Sequence, residues 1–310
     1  MTSNYRILRF RDEHGAARAG VLQGARVLAL RDLAGFEDAD AADPLADWPA
    51  FDRRLRAALA ASDSAKLPSQ PLAGTTLLAP LARFGALYCA GVNYRDHVQE
   101  MARIQNRTPE PDPKVSGFAP WHFIKPARSC VADPGASVER PAGCERLDWE
   151  AELAVLIGTE ARRVAPEDAL AHVAGYMVAN DLSARDLSRR PQVGAESAFR
   201  FDWLAHKGFE GSCPLGPWLT PAHAVADPQR LAIRLWVNDA LKQDSSTAEM
   251  IYSAAEQIAH LSQLRTLYPG DVVLTGTPSG VGSAHQQFLQ PGDEVIVEIE
   301  SLGRLRTLIS

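Results

Sequence analysis

Cysteine is scarce in this 310-residue chain, with four in all, and none of them forms a C-x-x-C pair. That spacing argues against a disulfide-stapled scaffold and leaves Cys89, Cys130, Cys144 and Cys213 as expected reduced, structural thiols. No apolar run approaches the ~18 residues of a membrane span. The opening MTSNYRILRFRDEHG has no apolar stretch of the kind that marks a secretory signal. Strong charge is missing too: a net charge of -6 offers no general attraction to nucleic acid or to anionic membranes. The chain contains no G-x-G-x-x-G, no Walker A lysine loop, no H-E-x-x-H and no G-x-S-x-G. Nicotinamide, nucleotide, zincin and α/β-hydrolase chemistry are therefore disfavoured. What remains is a cytoplasmic protein with a small-molecule partner, no nucleic-acid partner and no membrane.

The residues present predict an α+β fold dominated by strands. Branched, strand-like runs fall at residues 5–10, 19–22, 26–30, 86–90, 153–157, 175–179, 231–237, 272–275 and 294–299. Helical patterns are few, the best covering 50–61, 93–103, 166–172 and 253–264. Without regular βαβ alternation a doubly wound sheet is not expected. A stretch rich in Pro, Ser and Gly between Ser62 and Pro80 reads as a linker, which divides the chain into a small β-rich domain, 1–75, and a larger domain, 76–310. Two irregular segments, 104–121 and 187–205, are longer than ordinary connections and point to loops near a site.

The stretch LDWEAELAVLIG, Leu147 to Gly158, carries the sharpest signal. Alternation along a strand puts Trp149, Ala151, Leu153, Val155 and Ile157 on one face and Glu150, Glu152, Ala154 and Leu156 on the other. Two carboxylates side by side at the mouth of an apolar strand repel unless a cation lies between them; otherwise the strand end simply projects into water. In VANDLSARD, Asp181 is either a helix N-cap or a third ligand, and Arg185 is a candidate substrate contact. Three hard oxygen donors without histidine or thiolate favour Mg²⁺, with Mn²⁺ or Ca²⁺ as substitutes. In GVNYRDHVQEM, Asn93 can cap a helix on which His97 and Glu100 are neighbours, either as a surface pair or as a dyad in which Glu100 orients His97 to take a proton from water. Lys125 in FIKP and Lys207 in HKGFEGSCP are candidates to sit against a buried anion. The glycine-rich LTGTPSGVG, Leu274 to Gly282, is either a tight turn or a cradle in which backbone donors and the Thr277 hydroxyl hold a carboxylate.

Taken in order, GVNYRDHVQE, FIKP, LDWEAELAVLIG, GYMVANDLSARD, HKGFEGSCPLGP and LTGTPSGVG resemble the fumarylacetoacetate hydrolase family over roughly Tyr88 to Arg306. The resemblance implies a homodimeric enzyme whose catalytic domain is a mixed β-sandwich roll. It implies a divalent metal, usually Mg²⁺, held by Glu150, Glu152 and Asp181, and catalysis by the His97–Glu100 pair on a helix that often orders as substrate closes the site. Lys207 matches the family's active-site lysine, and Thr277 its substrate-contacting loop. The implied activity is metal-dependent hydrolysis of a carbon–carbon bond in an acylpyruvate-like β-diketo acid, of the kind met in aromatic catabolism. Decarboxylation or isomerisation of a 2-oxo diacid on the same scaffold is the alternative. One departure stands out: MARIQNRTPEPDPKVSGFAPWHF, between the dyad and Lys125, is longer and richer in proline than in compact members.

Overall fold

A computed structural model describes residues 5–40, 43–63, 66–109 and 111–310. Residues 64–65 of the predicted linker and residue 110 of the first long loop lie outside the described residues. Strands β1 (Arg6–Arg11), β2 (Ala17–Gln23) and β3 (Arg26–Ala29) precede helix α1 (Trp48–Ala61). The helix starts two residues before the predicted Ala50, because the Asp47 carboxylate accepts the Ala50 N–H at 3.0 Å and Pro49 needs no donor in a first turn. Next come β4 (Leu87–Ala90), helix α2 (Arg95–Ile104), β5 (His122–Lys125), β6 (Ala151–Ile157), β7 (Val173–Asn180), the short helix α3 (Trp203–Lys207) and β8 (Cys213–Pro221). The chain ends with β9 (Ala232–Val237), β10 (Ala240–Ser246), α4 (Ala254–Leu264), β11 (Val272–Leu274), the single turn α5 (Gly282–His285), β12 (Glu294–Ile299) and β13 (Gly303–Ile309).

Two sheets result. The larger runs in the order β3-β2-β1-β8-β7-β6-β11-β4-β5, and the smaller contains β10-β9-β12-β13. This is a β-dominated α+β fold built on mixed sheets, since β4 and β11 run parallel while most pairs are antiparallel. The N-terminal strands extend the larger sheet through β1, where Ile7 opposes Leu219 of β8. Four strands were not announced by the residue pattern. In β8, Cys213–Pro221, three prolines interrupt the run; β10 is polar; β5 has four residues; and arginines alternate with the apolar positions of β13.

At the centre, β6 pairs with β7 on one side and β11 on the other, with Leu153 opposite Val178 and Ala154 opposite Leu274. The predicted alternation holds. Leu153, Val155 and Ile157 pack into one core with Ile233, Leu235, Val295 and Val297 of the smaller sheet. Ala154 and Leu156 join a second core with Leu55 and Leu59 of α1 and with Ile7 and Val21. Each fully buried Leu, Ile or Val contributes about 1.5–3 kcal/mol, so a strand buried on both faces is a stiff mount for whatever stands at its end. All four cysteines are buried and free. Among the described residues no helix is long and apolar enough to cross a membrane.

Candidate active site

The residues at the N-terminal end of β6 and the C-terminal end of β7 meet because these strands are antiparallel neighbours, with Ala151 opposite Asn180. Asp181 N–H donates to Glu150 C=O at 2.9 Å, and the Asn180 side chain accepts the Glu150 N–H at 3.0 Å. One oxygen from each of Glu150, Glu152 and Asp181 lies within 4.8 Å of the others, and all three residues are buried. Asp181 is therefore not a helix cap but part of a carboxylate cluster. Asp148 lies two residues before Glu150 and is fully buried as well.

Cations are arranged around these carboxylates. Lys207, on α3, donates to Glu150 Oε2 at 2.8 Å and to Asp181 Oδ2 at 2.7 Å. Lys125, at the end of β5 and fully buried, pairs with Asp181 and donates to the Leu182 and Ser212 carbonyls at 3.2 and 2.6 Å. Arg185 bridges Asp148, at 2.8 Å, and Glu150. Burial alone would raise the Glu150 carboxyl, but Lys207 and Arg185 overcome it and hold the group below the ordinary carboxylate range. Burial opposes the Lys207 charge in the same way, and Asp181 and Glu150 reverse that and raise it. His206 adds no charge, because burial and then Lys207 and Arg185 push it down to about 3.

Four buried carboxylates thus face three cations, and the shortfall falls on Glu152. Its Oε2 accepts the Gly276 N–H at 2.7 Å, while its buried Oε1 has no hydrogen-bond partner. Burial first, then Asp181 and Glu150, push this carboxyl well above its usual range. A buried, unpartnered carboxylate oxygen beside two further carboxylates fits a hard divalent cation, which would complete both the charge and the coordination.

The second group stands on α2. His97 Nδ1 lies 3.9 Å from Glu100 Oε2, and Glu100 is 5 % exposed. Glu100 Oε2 accepts the Gly280 N–H at 2.8 Å, and Oε1 lies 3.1 Å from His285 Nε2. Burial would raise the Glu100 carboxyl, yet His97, the Gly280 N–H and His285 hold it below the usual range. One turn, residues 274–282, donates to both Glu152 and Glu100 and so ties the helix-borne pair to the carboxylate cluster.

The glycine-rich turn after β11 joins the two groups. Gly276 and Gly280 have φ of +93° and +94° and aim their N–H groups at Glu152 and Glu100. A Cβ at Gly280 would lie 2.0 Å from the Lys242 carbonyl, and one at Gly276 would lie 2.9 Å from the Asn93 Cβ, so glycine is required twice. The turn does cradle carboxylates with backbone donors, but they belong to the protein. The Thr277 hydroxyl is buried and accepts from Gln243 Nε2 at 3.0 Å.

The structure gathers the predicted Glu150, Glu152, Asp181, Lys125, Arg185 and Lys207 into one cluster, and the 274–282 turn ties it to Glu100, the neighbour of His97. Asn93 is a correction. Tyr94 occupies the N-cap of α2 without a side-chain bond, and the buried Asn93 amide instead donates to the Tyr252 and Thr275 carbonyls at 2.9 and 2.8 Å and accepts the Tyr252 N–H at 2.8 Å. Two functional neighbours were missed. Asp148 continues the D-x-E-x-E alternation and could have been found from it; its carboxylate accepts the Gly282 and Ser283 N–H groups that open α5. His285, on that turn, carries no such signal.

This constellation has counterparts. Residues 86–310 match the model for the fumarylacetoacetate (FAA) hydrolase C-terminal family. The human mitochondrial oxaloacetate tautomerase FAHD2A is 44% identical over 242 residues, 77% of this chain and 71% of that protein. A 4-hydroxyphenylacetate degradation bifunctional isomerase/decarboxylase of Salmonella dublin is 39% identical over 73% of this chain and 47% of its own length. Maleylpyruvate hydrolase from Sphingobium sp. SYK-6, solved with manganese(II) and pyruvate, superposes with a TM-score of 0.73 at 29% identity, covering 98% of both chains. With its carboxylates, lysines and histidine–glutamate pair set on a matching fold, the chain belongs to the fumarylacetoacetate hydrolase family.

Proposed function

We propose that the protein is a Mg²⁺-dependent hydrolase that cleaves a carbon–carbon bond in acylpyruvate-like β-diketo acids. The observation that carries this reading is the buried, partly uncompensated cluster Glu150, Glu152 and Asp181, joined through the donors of the 274–282 turn to a histidine–carboxylate pair. The three carboxylates would hold the cation, which when bound supplies the positive charge that favours enolate formation from a chelating 2-oxo acid. In this reading His97 takes a proton from a water directed at the neighbouring carbonyl, and Glu100, 3.9 Å away, orients its ring. Lys207, protonated between Glu150 and Asp181, bridges these side chains and offers an ammonium to a developing negative charge. Lys125 and Arg185 keep the outer oxygens of Asp181 and Glu150 fixed, so substrate binding by either depends on a surface these pairs leave free. The enzyme works as a homodimer in this reading, supported by a run of exposed apolar groups, Phe199, Phe201, Trp203 and Leu204, beside the site.

A second reading, keto–enol tautomerisation, isomerisation or decarboxylation of a 2-oxo diacid, is favoured by the names of the relatives at 39–44% identity. One panel separates them. Acylpyruvates and oxaloacetate are incubated with protein and Mg²⁺ while enol absorbance is followed and products are identified. A pair of acids marks hydrolysis, carbon dioxide marks decarboxylation, and keto–enol exchange of an intact substrate marks tautomerisation. Acylpyruvates that keep every carbon–carbon bond would overturn the first reading.

A further inference from the structure

Among His97, Glu100 and His285, the last is by far the most open to water. Glu100 has a side chain 6 % exposed and His97 one 17 % exposed, whereas the His285 side chain is 53 % exposed. The three form a row: His97 Nδ1 to Glu100 Oε2 at 3.9 Å, then Glu100 Oε1 to His285 Nε2 at 3.1 Å. The row is held from below, because the Asp148 carboxylate accepts the first N–H groups of the α5 turn and the Gly280 N–H fixes the other oxygen of Glu100. A loose 3.9 Å approach is ordinary in a site without substrate and tightens when the reacting groups assemble.

Hydrolysis of an acylpyruvate makes this row useful. The balance is RCOCH₂COCOO⁻ + H₂O → RCOO⁻ + CH₃COCOO⁻ + H⁺. The bond between the CH₂ carbon and the attacked carbonyl breaks, one proton of the water ends on the new methyl group, and the other is released as the acid product ionises. A buried base that collects that second proton must pass it on before the next turnover. Tautomerisation releases no net proton, so the requirement belongs to the hydrolytic reading.

We propose that His285 is a positioning residue that fixes Glu100 and gives the buried dyad its route for protons to solvent. The proton passes from His97 to the ionised Glu100 carboxylate. That same carboxyl proton goes on to His285 Nε2 when the ring is in its Nδ1–H tautomer, as Nδ1 releases its own proton to water. This leaves Glu100 ionised and the ring as the Nε2–H donor until tautomer exchange through solvent resets it. The inference rests on the hydrolytic function proposed above.

The test uses the full chain with Mg²⁺ and an acylpyruvate, at fixed pH and ionic strength, with imidazole buffer varied from dilute to concentrated and cleavage followed by loss of enol absorbance with the acid products identified. His285→Gln keeps a donor toward Glu100 and so guards against loss of folding; His285→Ala removes it. In dilute buffer both variants are expected to keep KM within about twofold and to lose roughly tenfold or more in kcat, with imidazole restoring the rate while wild type stays flat. Variants that match wild type at every buffer concentration, or that show a loss imidazole does not restore, overturn the proton route while leaving hydrolysis intact. A wild-type protein that releases no acid from acylpyruvates overturns the hydrolytic reading and this inference with it.

Discussion

The strand-borne carboxylates and the helix-borne dyad are both buried, but their charge is balanced by different means. Glu150 and Asp181 are met by full cations, Lys207, Lys125 and Arg185, on side chains fixed at both ends. Glu100 has no lysine or arginine partner among the described residues; a backbone N–H and two imidazoles stabilise it instead. The cluster is carried by β6 and β7, buried on both faces, whereas α2 has only Glu100 and Ala102 fully buried. The first arrangement suits a fixed chelating platform. The second suits a base that must change protonation state during turnover, because imidazoles and dipoles adjust where a salt bridge would lock one state.

The largest effect that could break this comparison is at Glu152, the residue left short of a cation. Glu152→Gln removes the charge that the cluster leaves uncompensated and is expected to abolish turnover. It should weaken Mg²⁺ binding by more than the roughly 10–100-fold typical of losing an outer partner. Glu145, whose side chain is exposed, should tolerate the same change. Calorimetry that finds unaltered Mg²⁺ affinity in Glu152→Gln removes the platform from the argument.

At the dyad the expected loss is kinetic. His97→Ala should leave Mg²⁺ binding intact and lower kcat by roughly 10² to 10⁴. Glu100→Gln should lose less, since it orients the ring without meeting the water. Wild-type cleavage rates in His97→Ala would reduce the pair to two neighbours on a helix.

Glu150 and Glu152 were legible because strand alternation is a local rule: a carboxylate at every second residue leading into LAVLI announces a shared face, whereas Asp181 could be read equally as a helix cap. The capped helix at 254–264 was legible for a similar reason, with Ser253 and Glu256 three apart and bonded in both directions. Legibility failed where function depends on contact across long separations. Glu100 and His285 are 185 positions apart, and Asn93 bonds residue 252, 159 positions on, rather than its own helix. Nor does any short pattern reveal that β1 joins β8, since Ile7 and Leu219 meet only through the completed sheet. Asp148 is the intermediate case. Its position obeyed the visible alternation, but its role as acceptor for the α5 turn depends on a segment 134 residues away.

The two glycines of the connecting turn offer a sharper, smaller contrast. Gly276→Ala disturbs the donor to Glu152 and crowds Asn93, so Mg²⁺ affinity should fall roughly 10–100-fold. Gly280→Ala meets the Lys242 carbonyl and displaces the donor to Glu100, so kcat should fall while Mg²⁺ affinity holds. At φ near +94° each alanine also adds backbone strain of about 1–3 kcal/mol, visible as a lower melting temperature in both. Calorimetry and kinetics on the pair decide it, and identical profiles would show that the turn acts as one unit.

The smallest effect concerns how each region is held against solvent. Amides of β6 and β7 sit in a ladder buried on both faces and should exchange hydrogen slowly. Beyond α2, residues 105–109 and 111–121 have no regular element; isolated turn bonds, such as the Phe118 N–H to the Pro113 carbonyl at 2.8 Å, and side-chain ties hold them: Lys114 to both oxygens of Glu256 at 2.7 and 2.8 Å, and the Tyr252 hydroxyl to the Phe118 carbonyl. Fast exchange is expected there in the free protein, with protection gained when Mg²⁺ and oxalate are added, because closing this segment over the dyad would exclude water from it. The Lys114–Glu256 pair is half-exposed, and such pairs contribute about 0.2–1 kcal/mol, so Lys114→Ala should speed exchange of residues 112–118 by only about 1.4- to 5-fold. The β6 and β7 amides should not respond. Acceleration in those strands would mean that the segment and the platform open together, and the division between a fixed chelating site and an adjustable base would no longer hold.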